Sequence, residues 1–368
     1  MAEADVGAVE EGCPGSKGLK GGALGLLSST VIGVASTAPG YSLAATLGLV
    51  VALVGLQSPS LMWVAFLPMA CIAAAYYYLN RADPDCGTTF SWATKAMGPH
   101  TGWIGGWAIV VADIVVMASL ADITGIYLFK LFGADGLADN TFWVTVLGVL
   151  FIVAMTWICY IGIEVSARTQ YFLLAMEVIA LFTFAAVALL RVYFGHPAGA
   201  IHPSLSWLNP FAIHDIHAFT AGILLAIFIY WGWDTAVTVN EEADDTTETP
   251  GRAALLSTLA LVGIYVVVSV AAQAFHGTKA LEDQDDVLAV LAKDVLGPLS
   301  KVLIIAVLTS SAASTQTTIL PTARTTLSMA AKGAFPKYFA RIHPRYLTPT
   351  TSTIWMGAIS ILWYVGLT

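Results

Sequence analysis

The sequence predicts an all-α integral membrane protein, and three observations carry that prediction. Of its 368 residues, 57% are hydrophobic and only 11% are charged. The mean hydropathy is +0.77. Apolar residues come in runs of about 20 or more, the length that crosses about 30 Å of hydrocarbon. These runs lack the period-two alternation of barrel strands, so helices must satisfy the backbone in lipid. A soluble globular chain carries about 25% charged and about 45–50% apolar residues. This chain has too little polar surface to face water, which excludes an ordinary soluble enzyme, a nucleic-acid binder and a disordered chain.

The elements follow in order along the chain. The first twenty residues hold four acidic side chains and no apolar core, so residues 1–22 read as a solvated tail and not a secretory signal. Nine spans are expected at 23–54, 60–79, 103–132, 141–161, 169–194, 217–239, 253–276, 299–330 and 351–368. The first, third and eighth are long enough to imply tilt, a break or an extension beyond the bilayer. Residues 195–216 form an outer loop. Val287, Leu288 and Leu291 give the stretch from Ala280 to Lys293 the pattern of a short amphipathic helix lying outside the membrane. Cys13, Cys71, Cys86 and Cys159 form no CxxC pair, and neither they nor His214 and His217 have metal-ligand spacing. No disulfide, metal or cofactor is called for. Trp63, Trp143 and Trp207 read as belt or packing residues.

Orientation follows from the basic residues. With the N-terminus in the cytoplasm, eleven of the 16 fall inside: Lys17, Lys20, Arg81, Lys95, Arg168, Arg252, Arg324, Lys332, Lys337, Arg341 and Arg345. Five fall outside: Lys130, Arg191, Lys279, Lys293 and Lys301. The bias predicts a multi-pass protein of the cell membrane with a cytoplasmic N-terminus.

Two spans carry the marks of a break. Span 1 meets Ala35-Ser36-Thr37-Ala38-Pro39-Gly40 at mid-depth, where proline removes a donor and clashes with the turn before it. Two half-helices with residues 35–39 unwound are expected, Pro39 opening the second. Amides at such a half-helix start, aided by the helix dipole, suit a carboxylate. A simple proline kink is the plainer alternative. Span 6 contains Phe228, Trp231, Gly232 and Asp234 within ten residues. A glycine costs about 1 kcal/mol relative to alanine in a helix, which points to a second break. Interrupted helices at matching positions of two halves mark a secondary-transporter site.

At this point the chain resembles a known family. The broken first helix, Cys86-Gly-Thr-Thr, Gly98-Pro99, Gly105-Gly-Trp107, Gly232-Trp-Asp234, Thr249-Pro-Gly-Arg252, Arg324 and Gly333-Ala-Phe-Pro-Lys337 are similar to the amino acid–polyamine–organocation permeases. The resemblance implies a five-plus-five inverted-repeat transporter fold with broken helices 1 and 6. Residues 23–194 would form the first repeat and 217–368 part of the second, incomplete because the chain ends in span 9 where the family continues. It also implies uptake or exchange of amino acids or related amines, and no enzyme activity. Where many members have Gly-x-Gly in the first break, this chain has Ala35-Ser-Thr-Ala-Pro39.

Four acids lie within spans: Asp113, Asp122, Glu177 and Asp234. Each costs about 2.5–3.5 kcal/mol at a helix centre, so intramembrane acids normally face the bundle interior and act there. Asp113 sits where the third helix of the resembling family lines the substrate pocket, which implies an acid to receive an amine, with an interhelical polar contact as the alternative. Asp122 reads as interfacial and Asp234 as a support for the second break. Glu177 sits where the resembling family often carries a Lys or Glu in place of a coupling cation, with an interhelical hydrogen bond as the alternative. Ser310, Ser311 and Ser314 in span 8 could line a sodium-like site or let helices pack closely.

The expected function is therefore secondary active transport of an amino acid across the cell membrane, proton-coupled or by exchange, through alternating access. Backbone groups at Ala35, Ser36, Thr37 and Ala38 would hold a carboxylate. Carbonyls near Phe228, Trp231 and Gly232 would hold the amine, with the two aromatics closing over it by cation–π contact. Protons or sodium are the candidate coupling ions, and the bilayer is the other partner. A polyamine permease and an inactive fragment are the alternatives.

Overall fold

The computed structural model describes residues 17–282 and 286–368. Residues 1–16 of the expected tail, Cys13 among them, and residues 283–285 lie outside the described part. Among the described residues every regular element is helical, and the only bridges are the isolated pairs Leu24–Ala243 and Ile342–Pro349.

Span 1 is two helices, α1 (Leu26–Ser36) and α2 (Pro39–Val54), followed by α3 (Ser58–Ala82). A short amphipathic α4 (Thr89–Met97) leads into α5 (Pro99–Leu131), which is 33 residues long and unbroken. One turn, α6 (Asp135–Ala138), precedes α7 (Thr141–Ile161) and α8 (Ile163–Phe194). The second half runs α9 (Ile216–Phe228), α10 (Thr235–Thr238), α11 (Thr249–His276), α12 (Val287–Leu296), α13 (Lys301–Ala331) and α14 (Thr350–Leu367).

Among the described residues six helical stretches are long and apolar enough to cross a bilayer: Leu26–Ala82, Pro99–Leu131, Thr141–Ile161, Ile163–Phe194, Thr249–His276 and Lys301–Ala331. The first of these contains the expected spans 1 and 2. Span 6 falls short because its break leaves α9 only 13 residues, and α14 opens on four hydroxyl residues, Thr350 to Thr353. The amphipathic helix expected at 280–293 forms later, as α12, because Asp286 caps it by accepting from Ala289 N. Its Val287, Leu288, Leu291, Ala292 and Val295 are buried in the outer part of the core.

The position of each helix follows its sequence. α13 is the most enclosed, 78% buried over its apolar window against 28% for the lipid-facing α7. The run Thr309 to Thr318 in α13 is rich in hydroxyls, and small polar side chains let neighbouring helices approach closely. α13 packs on α5, α8 and both halves of the first broken helix. One apolar core joins α2, α3, α8 and α11, and a second joins α5, α7, α13 and α14. The site lies between them.

Candidate functional site

Both broken helices come apart at the same place and touch there. α1 ends at Ser36 and α2 starts at Pro39, with Ala38 at φ 47° turning the chain between them. Opposite, residues 229–234 leave the α-helical path between α9 and α10. Gly232 has φ +120°, and a Cβ on it would stand 2.7 Å from Ser36 O. Glycine alone allows that turn to press on the end of α1. Ser36 Oγ shares a 2.8 Å hydrogen bond with Thr235 Oγ1. Ser314 Oγ, from α13, donates to Ser36 O at 2.9 Å.

Between the breaks, α5 and α13 lies a cavity of about 260 Å³. Of the residues singled out in the sequence, Ser36, Thr37, Ala38, Asp113, Phe228, Trp231, Gly232, Asp234 and Ser314 line it. Asp113 is 5% exposed and accepts a 2.6 Å hydrogen bond from Thr322 Oγ1. Asp234 faces the same space from the start of α10. Among the described residues no Lys, Arg or His lines the cavity, so two carboxyl groups share it without a basic side chain there. The Phe228 and Trp231 rings stand 6.5 Å apart. Phe228 is 60% exposed, so its ring is shared between cavity and surface.

Several placements differ from expectation. Ala35 belongs to α1, is fully buried and does not reach the cavity. The unwound stretch is only Thr37 and Ala38, because one left-handed residue before Pro39 suffices to redirect the chain. The Thr37 and Ala38 amides donate to Val34 O and Ala35 O, both at 3.2 Å. In the first turn of α2, Gly40 N donates to Glu177 Oε1 at 2.7 Å and Tyr41 N to Ser310 Oγ at 3.1 Å. Amides at a buried helix start must be satisfied somewhere, and here side chains of α8 and α13 do it. Glu177 Oε2 has no partner among the described residues. Ser311 turns away from the break and accepts from Thr124 Oγ1 at 2.9 Å. Asp122 accepts from Tyr364 OH at 3.1 Å.

Sequence reasoning missed part of the wall. Tyr41, Ser42, Ile109, Ser119, Thr318 and Pro321 line the cavity, and Tyr41 OH meets Ser119 Oγ across it at 2.6 Å. Helical spacing was the available signal: Ile109, Asp113, Val116 and Leu120 share one face of α5, and Ser314, Thr318 and Pro321 one face of α13.

A second ionic cluster lies at the end of the bundle that carries the N-terminal segment. Donor atoms of Asp85, Cys86 and Glu241 fall within 4.8 Å of one another, a grouping no sequence spacing revealed. The Lys17 ammonium sits among them, 3.1 Å from Asp85 Oδ2 and paired with Glu241. Lys332 Nζ is 2.8 Å from the same Asp85 oxygen. A lysine thus holds the cation position. Burial alone would raise the Asp85 carboxyl, but Lys17, Lys332 and the Ser91 and Ser328 hydroxyls hold it well below the usual carboxylate range. Burial likewise opposes the charge of Lys17, and Cys86, Asp85 and Glu241 more than offset it, so its ammonium is held above the ordinary lysine value. Beside this cluster Arg324 grips Glu242 with two hydrogen bonds of 2.6 and 2.9 Å.

Comparison with known proteins fits this architecture. A family model described as amino acid permease matches residues 23–368. The chain belongs to the amino acid permease family. The permease is 26% identical over 344 residues to an uncharacterized transporter of Mycobacterium tuberculosis, covering 91% of this chain and 72% of that one. It is 25% identical over 345 residues to the low-affinity putrescine importer PlaP of Escherichia coli, covering 92% and 74%. It is 23% identical over 314 residues to the branched-chain amino acid permease BcaP of Bacillus subtilis, covering 80% and 64%. The crystal structure of MhsT in complex with L-phenylalanine has the same fold, with a TM-score of 0.60, 18% identity and coverage of 91% and 78%. The permease is a multi-pass membrane transporter and not an enzyme.

Proposed function

We propose that the permease is a secondary active transporter that carries an amino acid or a small amine across the cell membrane by alternating access. One observation carries the reading: the cavity at the contact of the two breaks holds Asp113 and Asp234 and, among the described residues, no basic side chain. A buried carboxylate without a partner is costly, and an ammonium group is the chemistry that offsets it. At about 260 Å³ the cavity is near the lower end of ligand pockets, which suits a small molecule. Phe228 and Trp231 supply ring faces for the same ammonium. The two breaks support reading 23–194 and 217–368 as related halves that rock about the site. The eleven-to-five division of basic residues supports a cytoplasmic N-terminus.

Glu177 is the coupling group in this reading. One of its oxygens holds the Gly40 amide while the other is unpartnered among the described residues, so gain or loss of a proton there alters the hold on α2. Sodium beside Ser310 and Ser314 is the alternative ion.

A second reading, a diamine substrate, is favoured by a separate observation. The amides at the first break are already satisfied, Thr37 and Ala38 by Val34 O and Ala35 O, and Gly40 and Tyr41 by Glu177 and Ser310. The two acids then match two ammonium ends, and putrescine is the compound PlaP is named for. Uptake into proteoliposomes under an imposed pH gradient tests the whole account. Labelled leucine, phenylalanine and putrescine should separate, with at least one accumulating and competition ranking the rest. Glu177→Gln should remove the dependence on the gradient. Absence of uptake for all three would count against the reading, and gradient-dependent uptake by Glu177→Gln would remove Glu177 from coupling.

A further inference from the structure

A groove between α7 and α14, which shares no lining residue with the cavity, has a composition the transport reading leaves unused. It encloses about 440 Å³ and is walled by Val153, Trp157, Tyr160, Ile354, Ala358 and Ile361. Close approach of the two helices forms its floor: a Cβ on Gly357 would stand 2.4 Å from Thr156 Oγ1. From Tyr160 to Val153 the groove runs about 10 Å along α7 at about 1.5 Å per residue. That lies within one leaflet of a hydrocarbon core about 30 Å thick.

The rim is aromatic and basic. Trp157 stacks on Tyr160 at 5.6 Å, and His343 stacks on Tyr346 at 4.5 Å beside it. Thr348 Oγ1 donates to Tyr160 O at 2.8 Å, fixing the loop before α14 over the end of α7. That loop presents Lys337, Arg341 and Arg345, all exposed and none in an ion pair among the described residues. Arg341 lies over the Tyr338 ring at 4.3 Å and Arg345 over Tyr346 at 5.6 Å, and Tyr346 packs in turn against Tyr160 of the rim at 5.9 Å. Residues 295–368 contain no acid at all.

We propose that this groove is a binding site for an anionic phospholipid. An acyl chain lies along the apolar wall, and the headgroup phosphate meets Lys337, Arg341 and Arg345. Trp157 and Tyr160 sit at the depth where amphipathic rings favour the interface. Each basic residue near an anionic lipid surface adds about fivefold to binding.

Native mass spectrometry of the purified permease with equimolar phosphatidylglycerol and phosphatidylcholine of identical chains tests this. Phosphatidylglycerol should be retained over phosphatidylcholine by about tenfold or more. The triple variant Lys337→Gln, Arg341→Gln, Arg345→Gln should lose that preference while melting as the parent does in phosphatidylcholine. Ala358→Phe, which fills the groove and keeps the charges, should lose retention of phosphatidylglycerol. Equal retention of the two lipids by the parent, or a preference that survives either variant, would overturn the proposal. So would full competition by glycerol phosphate, which would indicate a free-phosphate site, or a lipid-independent dimer, which would indicate that a second copy covers the groove.

Discussion

Two regions of the permease bury charged groups, and they treat them in opposite ways. At the end near the N-terminal segment, Arg324 and Glu242, 2% and 0% exposed, are locked together, and Lys17 bridges Asp85 and Glu241. At mid-depth, Asp113 and Asp234 line a cavity with no basic side chain among the described residues around it. In the first, each buried charge meets an opposite charge and hydrogen bonds, so that removing one partner leaves the other uncompensated. The second lacks such pairing among the described residues, and the fold tolerates it only because the acids face a cavity and, for Asp113, the Thr322 hydroxyl. Pairing marks the charges that hold the structure. Its lack marks those that act on a substrate.

The largest test of that contrast is Arg324→Met. It leaves Glu242 buried without its two-pronged partner, and the expected loss is about 3–5 kcal/mol, read as a lowered unfolding midpoint in detergent. Asp113→Asn keeps an acceptor for Thr322 and should cost no more than about 1 kcal/mol. If the two changes destabilise equally, the contrast fails. Gly232→Ala comes next. It forces a side chain into φ +120° and against Ser36 O, at an expected cost of about 1–3 kcal/mol together with loss of uptake. Unchanged melting and uptake would mean that the two breaks need not touch.

A smaller effect sharpens the structural side. The folded Asp85 carboxyl is depressed, so its contribution is complete above its unfolded value near pH 4 and is lost as pH falls below it. The Lys17 ammonium is raised, so its contribution is complete below about pH 10 and is lost as pH rises above it. Melting temperature followed from pH 3 to 11 should drop at both ends, and Lys17→Met should flatten both drops. A profile identical to the parent's would remove Lys17 from the latch.

Local chemistry in the sequence revealed most of this, and long-range pairing did not. Apolar runs located the helices to within a few residues, Pro39 marked the start of α2, and Gly232 marked the second break, because each is a property of a residue and its neighbours. The intramembrane acids stood out for the cost of putting charge in lipid. Their partners were hidden. Thr322 is 209 positions from Asp113, and Gly40 is 137 from Glu177. Lys17 meets Glu241 across 224 residues, where nothing in the spacing announces the pair. The α2 amides read as free for a substrate because sequence cannot tell whether a distant side chain already occupies them.

The central claim is that Asp113 and Asp234 hold the ammonium of the substrate. The measurement that bears on it most directly is ligand-induced stabilisation of the purified permease, compared with the Asp113→Asn, Asp234→Asn double variant. A ligand at about 100 times its Kd stabilises by about 2.7 kcal/mol. The account predicts that an amine or amino acid raises the melting temperature of the parent, and that the double variant, melting alike without ligand, shows no such rise. An equal rise in both proteins would contradict it.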